Sequence, residues 1–164
     1  MLYRNMTDIM ERLRLVNWTL GKAEKKDSNR INELFIEMLQ TIYNADQVNG
    51  YSEGDLDRFF DERDEWICVA LDEDNIIAFL SIEVHHEEEE YIYLDDLSVT
   101  KQYRNHGVGT KLIRNAESYA KEINIPTICL HVEKSNTAAF RLYERLGYKI
   151  YEDQGSRYLL IKKV

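Results

Sequence analysis

Tyr91-Ile92-Tyr93-Leu94-Asp95-Asp96-Leu97-Ser98-Val99-Thr100, with Arg104-Asn105-His106-Gly107-Val108-Gly109-Thr110 close behind, decides how this chain folds. The first stretch has the composition of a β-strand. Ile92 and Leu94 share one parity and Leu97 and Val99 the other, which a regular strand would place on opposite faces. Either a bulge at Asp95-Asp96 restores one apolar face, or the strand is buried on both sides. The second stretch is a turn whose Gly107 and Gly109 allow close approach of main chain to a ligand. It opens into a helix with unpaired N–H groups and a positive dipole end. Strand, turn and helix in that order can hold a pyrophosphate with backbone alone. The spacing is not Gly-x-Gly-x-x-Gly and it falls late in the chain, so it fits a dinucleotide fingerprint poorly.

Outward from this stretch, the pattern predicts alternating strands and helices. Upstream, Trp18 to Ala23 reads as a strand. Ile31, Leu34, Phe35, Met38, Leu39 and Ile42 recur at helical spacing after a cap at Asp27 or Ser28. Asp55 to Glu62 reads as a second, shorter helix with Leu56, Phe59 and Phe60 inward. Trp66 to Leu71 and Ile76 to Val84 form a hairpin across Asp72-Glu73-Asp74-Asn75. Downstream, Val108, Leu112, Ile113, Ala116, Tyr119, Ala120 and Ile123 mark a long amphipathic helix. Pro126, the only proline, precedes a strand with Ile128, Leu130 and Val132 on one side. Thr137 to Leu146 is helical, with Gly147 where a left-handed cap is needed. Tyr148 to Asp153 and Arg157 to Lys163 form a closing hairpin. The order implies an α/β domain, a mixed sheet with helices on both faces. Residues 17–164 read as one domain, and residues 1–16 as an accessory helix or extension.

The chain has 164 residues, 44% of them hydrophobic, which suits one full core. It carries 30 acidic residues against 21 Lys and Arg, a net charge of −9. That argues against nucleic acid or an anionic membrane as partner and is compatible with a cationic amine. From Glu53 to Asp74 there are ten carboxylates, offset by Arg58 and Arg63. From Glu83 to Asp96 there are seven and no Lys or Arg. These are either solvated surface or a negative rim that draws a polyamine, an aminosugar or a basic peptide. Cys68 and Cys129 lie in apolar strands and read as buried thiols of a reducing compartment. No signal-peptide pattern or membrane-length run is present, so a cytoplasmic location is expected.

A second signature, Asn136-Thr137-Ala138-Ala139-Phe140-Arg141-Leu142-Tyr143, lies at the right distance downstream. Together with Arg104-x-x-Gly107-x-Gly109, it resembles the GCN5-related N-acetyltransferase (GNAT) family over roughly residues 17–164. The resemblance implies a strongly twisted mixed sheet whose bulged central strand opens a V-shaped cleft for acetyl-CoA. It places the pantetheine arm on the backbone of Leu97, Ser98 and Val99. The pyrophosphate falls on Arg104, Asn105, His106, Gly107, Val108, Gly109 and Thr110. Asn136 contacts CoA in this reading, or simply caps its helix. Tyr143 is a general acid toward the CoA thiolate, or ordinary core. The Val99 N–H would face the oxyanion. The usual proline of the preceding turn is replaced by Lys101-Gln102.

Tyr93-Leu94-Asp95-Asp96-Leu97 also resembles the polyamine-acetyltransferase pattern Tyr-Leu-Glu-Asp-Leu. Asp95 thereby becomes the preferred general base, one methylene shorter than the usual glutamate, with Glu83 on the adjacent strand as its rival. The segment from His131 to Ala139 resembles ribosomal-protein acetyltransferases. The expected activity is direct acetyl transfer from acetyl-CoA to a primary amine of a small basic metabolite. A protein N-terminus or lysine, in a basic peptide substrate, is the alternative acceptor. A non-enzymatic CoA-binding module is a third reading. No metal is expected: His85-His86 before four glutamates could bind one loosely but reads as an exposed hairpin. Cys129 and His131 read as a core thiol and an incidental histidine. A homodimer through the C-terminal strands is plausible by resemblance.

Overall fold

The computed structural model describes residues 17–61 and 64–164. The accessory helix or extension expected at residues 1–16 lies outside the described residues. Seven strands among them form one sheet: β1 Thr19–Lys22, β2 Glu65–Asp72, β3 Asn75–His85, β4 Tyr91–Val99, β5 Thr127–Glu133, β6 Lys149–Asp153 and β7 Arg157–Lys163. Their order is β1-β2-β3-β4-β5-β7-β6, with β4 and β5 parallel and the other neighbours antiparallel. The helices are α1 Ser28–Tyr43, α2 Val108–Glu122 and α3 Thr137–Arg145.

Two cores flank the sheet. Leu112, Ile113, Ala116 and Ala120 of α2 and Tyr143 of α3 pack with Ile82, Ile92, Leu94, Ile128, Leu130 and Leu160. On the other side, Ile31 and Leu34 of α1 pack with Ile67, Val69 and Phe79. The helices therefore lie on both faces, because strands buried on both sides need cover on both.

Of the expected helix at Asp55 to Glu62, the described residues up to Asp61 form instead one 3-10 turn, Asp57–Phe60, and Glu62 lies outside the described residues. Leu56 and Phe59 are both buried. Three residues apart, they share a face under the three-residue repeat of a 3-10 turn. Asp55 accepts from Ser52 N–H at 2.8 Å, which caps the turn but adds no helix. So few residues do not offset the cost of nucleating an α-helix.

Candidate active site

The anomaly in β4 is a bulge. Leu80 lies opposite Leu97 and Ile82 opposite Leu94, so Asp95 and Asp96 together face Ser81 alone. The extra residue resets the alternation. Ile92 and Leu94 are buried in the α2–α3 core, and Leu97 and Val99 pack against the same core. Ser98 turns to the opposite side, where its hydroxyl donates to the Leu34 carbonyl of α1 at 2.7 Å.

β4 pairs with β5 through Ile92, Tyr93 and Leu94 and no farther among the described residues. Beyond Leu94 the strands part. Thr100 N–H donates to the Ile77 carbonyl. Alternation along an antiparallel ladder then turns the main-chain groups of Leu97 and Val99 away from β3, toward the gap. The gap continues into a groove of about 360 Å³, lined by Met38, Thr41 and Ile42 of α1, Leu97 to Val99, Arg104, Gly109 and Ser135 to Ala138.

One end of that groove is the start of α2. Gly107 precedes the helix at φ +79°, a conformation that favours glycine, and no side chain caps the helix there. The first N–H groups of α2 remain available to an anion. Arg104 lines the groove but is also a brace. Its Nε donates to the Val99 carbonyl at 2.9 Å, and Nη2 to Glu37 and Thr41 at 3.3 Å each. Across the groove, Asn136 Oδ1 accepts from Ala139 N–H at 3.3 Å, so the cap role is real. The Asn136 amide NH2 is not used in that bond. Tyr143 is buried, and its hydroxyl donates to no described residue. Burial, with Tyr93 and Asp96 nearby, pushes its pKa up and keeps it protonated.

The other face of the bulge is acidic. Glu65, Glu83, Tyr93 and Cys129 lie directly opposite one another across β2, β3, β4 and β5. Asp95 sits beside this row with its side chain 34% exposed. Burial, then the Asp96 and Glu83 carboxylates, push its carboxyl up to about 7. Asp96 is also raised, chiefly by burial, and accepts from Tyr51 OH at 2.5 Å. Tyr51 in turn stacks on Phe35 of α1. Glu83 is 11% exposed, with Arg58 Nη2 at 2.7 Å and His85 Nε2 at 3.2 Å.

Tyr93 OH meets His131 Nδ1 at 2.9 Å, and His131 Nε2 meets Gln154 Oε1 at 3.0 Å. Gln154 Nε2 donates to Glu152 at 2.7 Å. That contact orients the amide, so His131 donates from Nε2 and accepts the Tyr93 hydroxyl at Nδ1. Burial and Arg157 lower the His131 pKa, which favours the neutral ring. Tyr93, His131, Tyr91, Tyr151 and Glu83 help line a second cavity of about 500 Å³ on this face.

A family model described as Acetyltransferase (GNAT) family matches residues 36–148. The chain belongs to the GNAT family. It is similar to N-alpha-acetyltransferase 30 of Schizosaccharomyces pombe, 34% identical over 90 residues, which are 54% of this chain and 60% of that protein. It is also similar to an uncharacterized N-acetyltransferase of Methanocaldococcus jannaschii, 29% identical over 152 residues, 88% of this chain and 90% of that protein. The chain spans about half the length of the first curated relatives it matches. Among solved structures, the PaiA N-acetyltransferase of Thermoplasma acidophilum in complex with coenzyme A shares the fold. The TM-score is 0.75 at 20% identity, covering 90% of this chain and 99% of that one.

Within this GNAT fold, Leu97, Ser98, Val99, Arg104, Gly109 and Asn136 all line one groove. Thr110 follows Gly109 in the first turn of α2. His106 is exposed, and its Nδ1 is 2.7 Å from the Arg104 carbonyl. Asp95 and Glu83 meet on the opposite side of β4, where Arg58 touches both. The sequence placed none of Tyr93, His131, Met38, Thr41, Ile42 and Arg58 among the site residues. His131 was open to detection: Ile128, Leu130 and Val132 face the core, so alternation sends His131 to the other face. Cys68 and Cys129 are buried free thiols. Burial pushes each thiol up to about 11, which favours the unreactive form. Among the described residues, no group of three or more His, Cys, Asp or Glu is placed to hold a metal ion. No described helix is long and apolar enough to cross a membrane.

Proposed function

We propose that this chain transfers the acetyl group of acetyl-CoA to a primary amine in a ternary complex. The observation that carries this reading is the parting of β4 from β5 after Leu94. It turns the main chain of Leu97 and Val99 to a groove that ends at the uncapped start of α2. The bound cosubstrate supplies the reactive acetyl thioester. The main-chain groups of Leu97 and Val99 hold its pantetheine arm, while those of Ser98 between them are turned to β3. The N–H groups of Asn105 to Thr110 hold the pyrophosphate, and the Asn136 amide NH2 gives a further contact. The Val99 N–H donates to the acetyl carbonyl oxygen as negative charge develops there.

The amine must arrive or become neutral before it can attack. Asp95 takes its proton, because a carboxyl near 7 is part ionised at neutral pH and is a stronger base than an ordinary aspartate. Glu83 is the weaker candidate, since Arg58 and His85 already engage it. As the carbon–sulfur bond breaks, Tyr143 gives its hydroxyl proton to the departing thiolate.

A polypeptide N-terminus is the second acceptor reading, against a small basic amine. The name of the fission-yeast relative favours it. The Tyr93–His131 pair, beside the point where β4 and β5 part, gives either acceptor a second proton route, since Tyr93 can pass its hydroxyl proton to Nδ1 of the neutral ring. Acceptor-dependent release of CoA, measured across small amines, aminosugars and short peptides, tests the proposal. Release with one class and not the others assigns the acceptor. Acetyl-CoA binding without release in any class would refute transfer and leave the binding-module reading.

A further inference from the structure

Glu65 and Glu83 are directly opposed across β2 and β3, a like-charge pair that is unfavourable without a counter-ion. Arg58, on the 3-10 turn before β2, supplies it. Nη1 lies 3.0 Å from Glu65 Oε2, Nη2 lies 2.7 Å from Glu83 Oε1, and the same Nη2 lies 3.8 Å from Asp95 Oδ2. The Arg58 guanidinium also rests on the Phe59 ring, 4.3 Å from its centroid. Beyond Arg58 lies a cavity of about 360 Å³ that it lines together with Asp61, Asp64, Glu65 and Val84. One side chain thus separates Asp95 from a second acidic recess and fills the place by Glu65 and Glu83 that a cation would take.

We infer that Arg58 is a specificity-determining residue that selects monoamine acceptors, whose reacting nitrogen is their only cation, over diamines and polyamines. The inference rests on the acetyl-transfer reading and names its substrate class. An ammonium that gives its proton to Asp95 meets a carboxylate. A second ammonium that reaches toward Glu65 and Glu83 must pass or displace the guanidinium, and like charges at that range repel. A polypeptide N-terminus with uncharged neighbouring side chains fits this site. A polyamine does not, although the acidic composition alone favours one.

Butylamine and putrescine test this, because they share a four-carbon chain and differ in the second ammonium. The readouts are kcat/KM for CoA release, and equilibrium dialysis of each labelled amine against CoA-loaded protein. The wild type should favour butylamine by about tenfold. Arg58→Gln should erase or reverse the ratio in both readouts, and Arg58→Lys, which keeps the cation, should retain it. A wild-type preference for putrescine would overturn the inference, and so would a ratio unchanged in folded Arg58→Gln. The wild-type and Arg58→Lys ratios decide the matter even if Arg58→Gln does not fold. Absence of release with both amines and with a short peptide of uncharged side chains would count against acetyl transfer, while the dialysis ratio would still decide the role of Arg58.

Discussion

On the proposed mechanism, Asp95 joins function and stability in one carboxyl. Its folded-state pKa is about 7 against an ordinary 3.8. Between those values the folded chain holds a proton that the unfolded chain has lost. The stability this gives is complete below the unfolded value and is lost as pH rises through about 7. Asp95→Asn should therefore raise stability above pH 7 by about 1–2 kcal/mol, allowing for solvent at a side chain one-third exposed. The same variant should lower kcat/KM by about 10²-fold or more, and the acid limb near pH 7 should vanish from the rate profile. Denaturant melts at pH 5 and pH 8, beside a pH–rate series, check both halves. Tyr143→Phe should reduce kcat about 10–100-fold with little change in the KM for acetyl-CoA, as expected of a proton donor to the leaving group. Asp95 and Tyr143 were singled out because each lies in a local motif. Arg58 was not: Glu83 is 25 residues away in the chain and nothing local links them. The Tyr93–His131 pair, 38 residues apart, required the parallel register of β4 and β5.

Among the elements, β4 and β7 matched their expected bounds, because apolar runs closed by turns leave little choice of register. The Asp55–Glu62 segment was misread because Leu56 and Phe59, three residues apart, satisfy helical and 3-10 spacing alike, and Phe60 completed the helical pattern. Sequence parity exposed the β4 irregularity but allowed two explanations. The pairing with Ser81 identifies a bulge. Deleting Asp96 should therefore give a strand of regular alternation that still folds, with Ile92, Leu94, Leu97 and Val99 kept on the core side. It should bind acetyl-CoA at least about tenfold more weakly, because the main chain next to the gap shifts. Circular dichroism with titration calorimetry would show both. Retained affinity would mean that the bulge does not position the groove.

Across the whole molecule, the net charge of −9 acts oppositely on the two proposed substrates. The cationic amine is attracted over a range of about 10 Å at 0.1 M salt, and the anionic cosubstrate is repelled. Raising salt from 50 to 300 mM should increase the KM for an amine acceptor. Over the same range, the association rate of acetyl-CoA should stay constant or rise. Stopped-flow mixing and steady-state kinetics at each salt concentration measure the two trends. Such a contrast separates long-range charge from local contacts, because a general weakening of binding would move both in one direction.

The groove beside β4 presents amides and carbonyls, and those atoms are common to all twenty coded residues apart from the N–H that proline lacks. Mutational scanning of Leu97 and Val99 would thus record mostly packing defects and understate their share in holding the cosubstrate. Replacing single amides with esters by chemical synthesis would expose that share. For the same reason, divergent chains can preserve this half of the machinery while their side chains drift, so novelty among such enzymes should accumulate on the amine side.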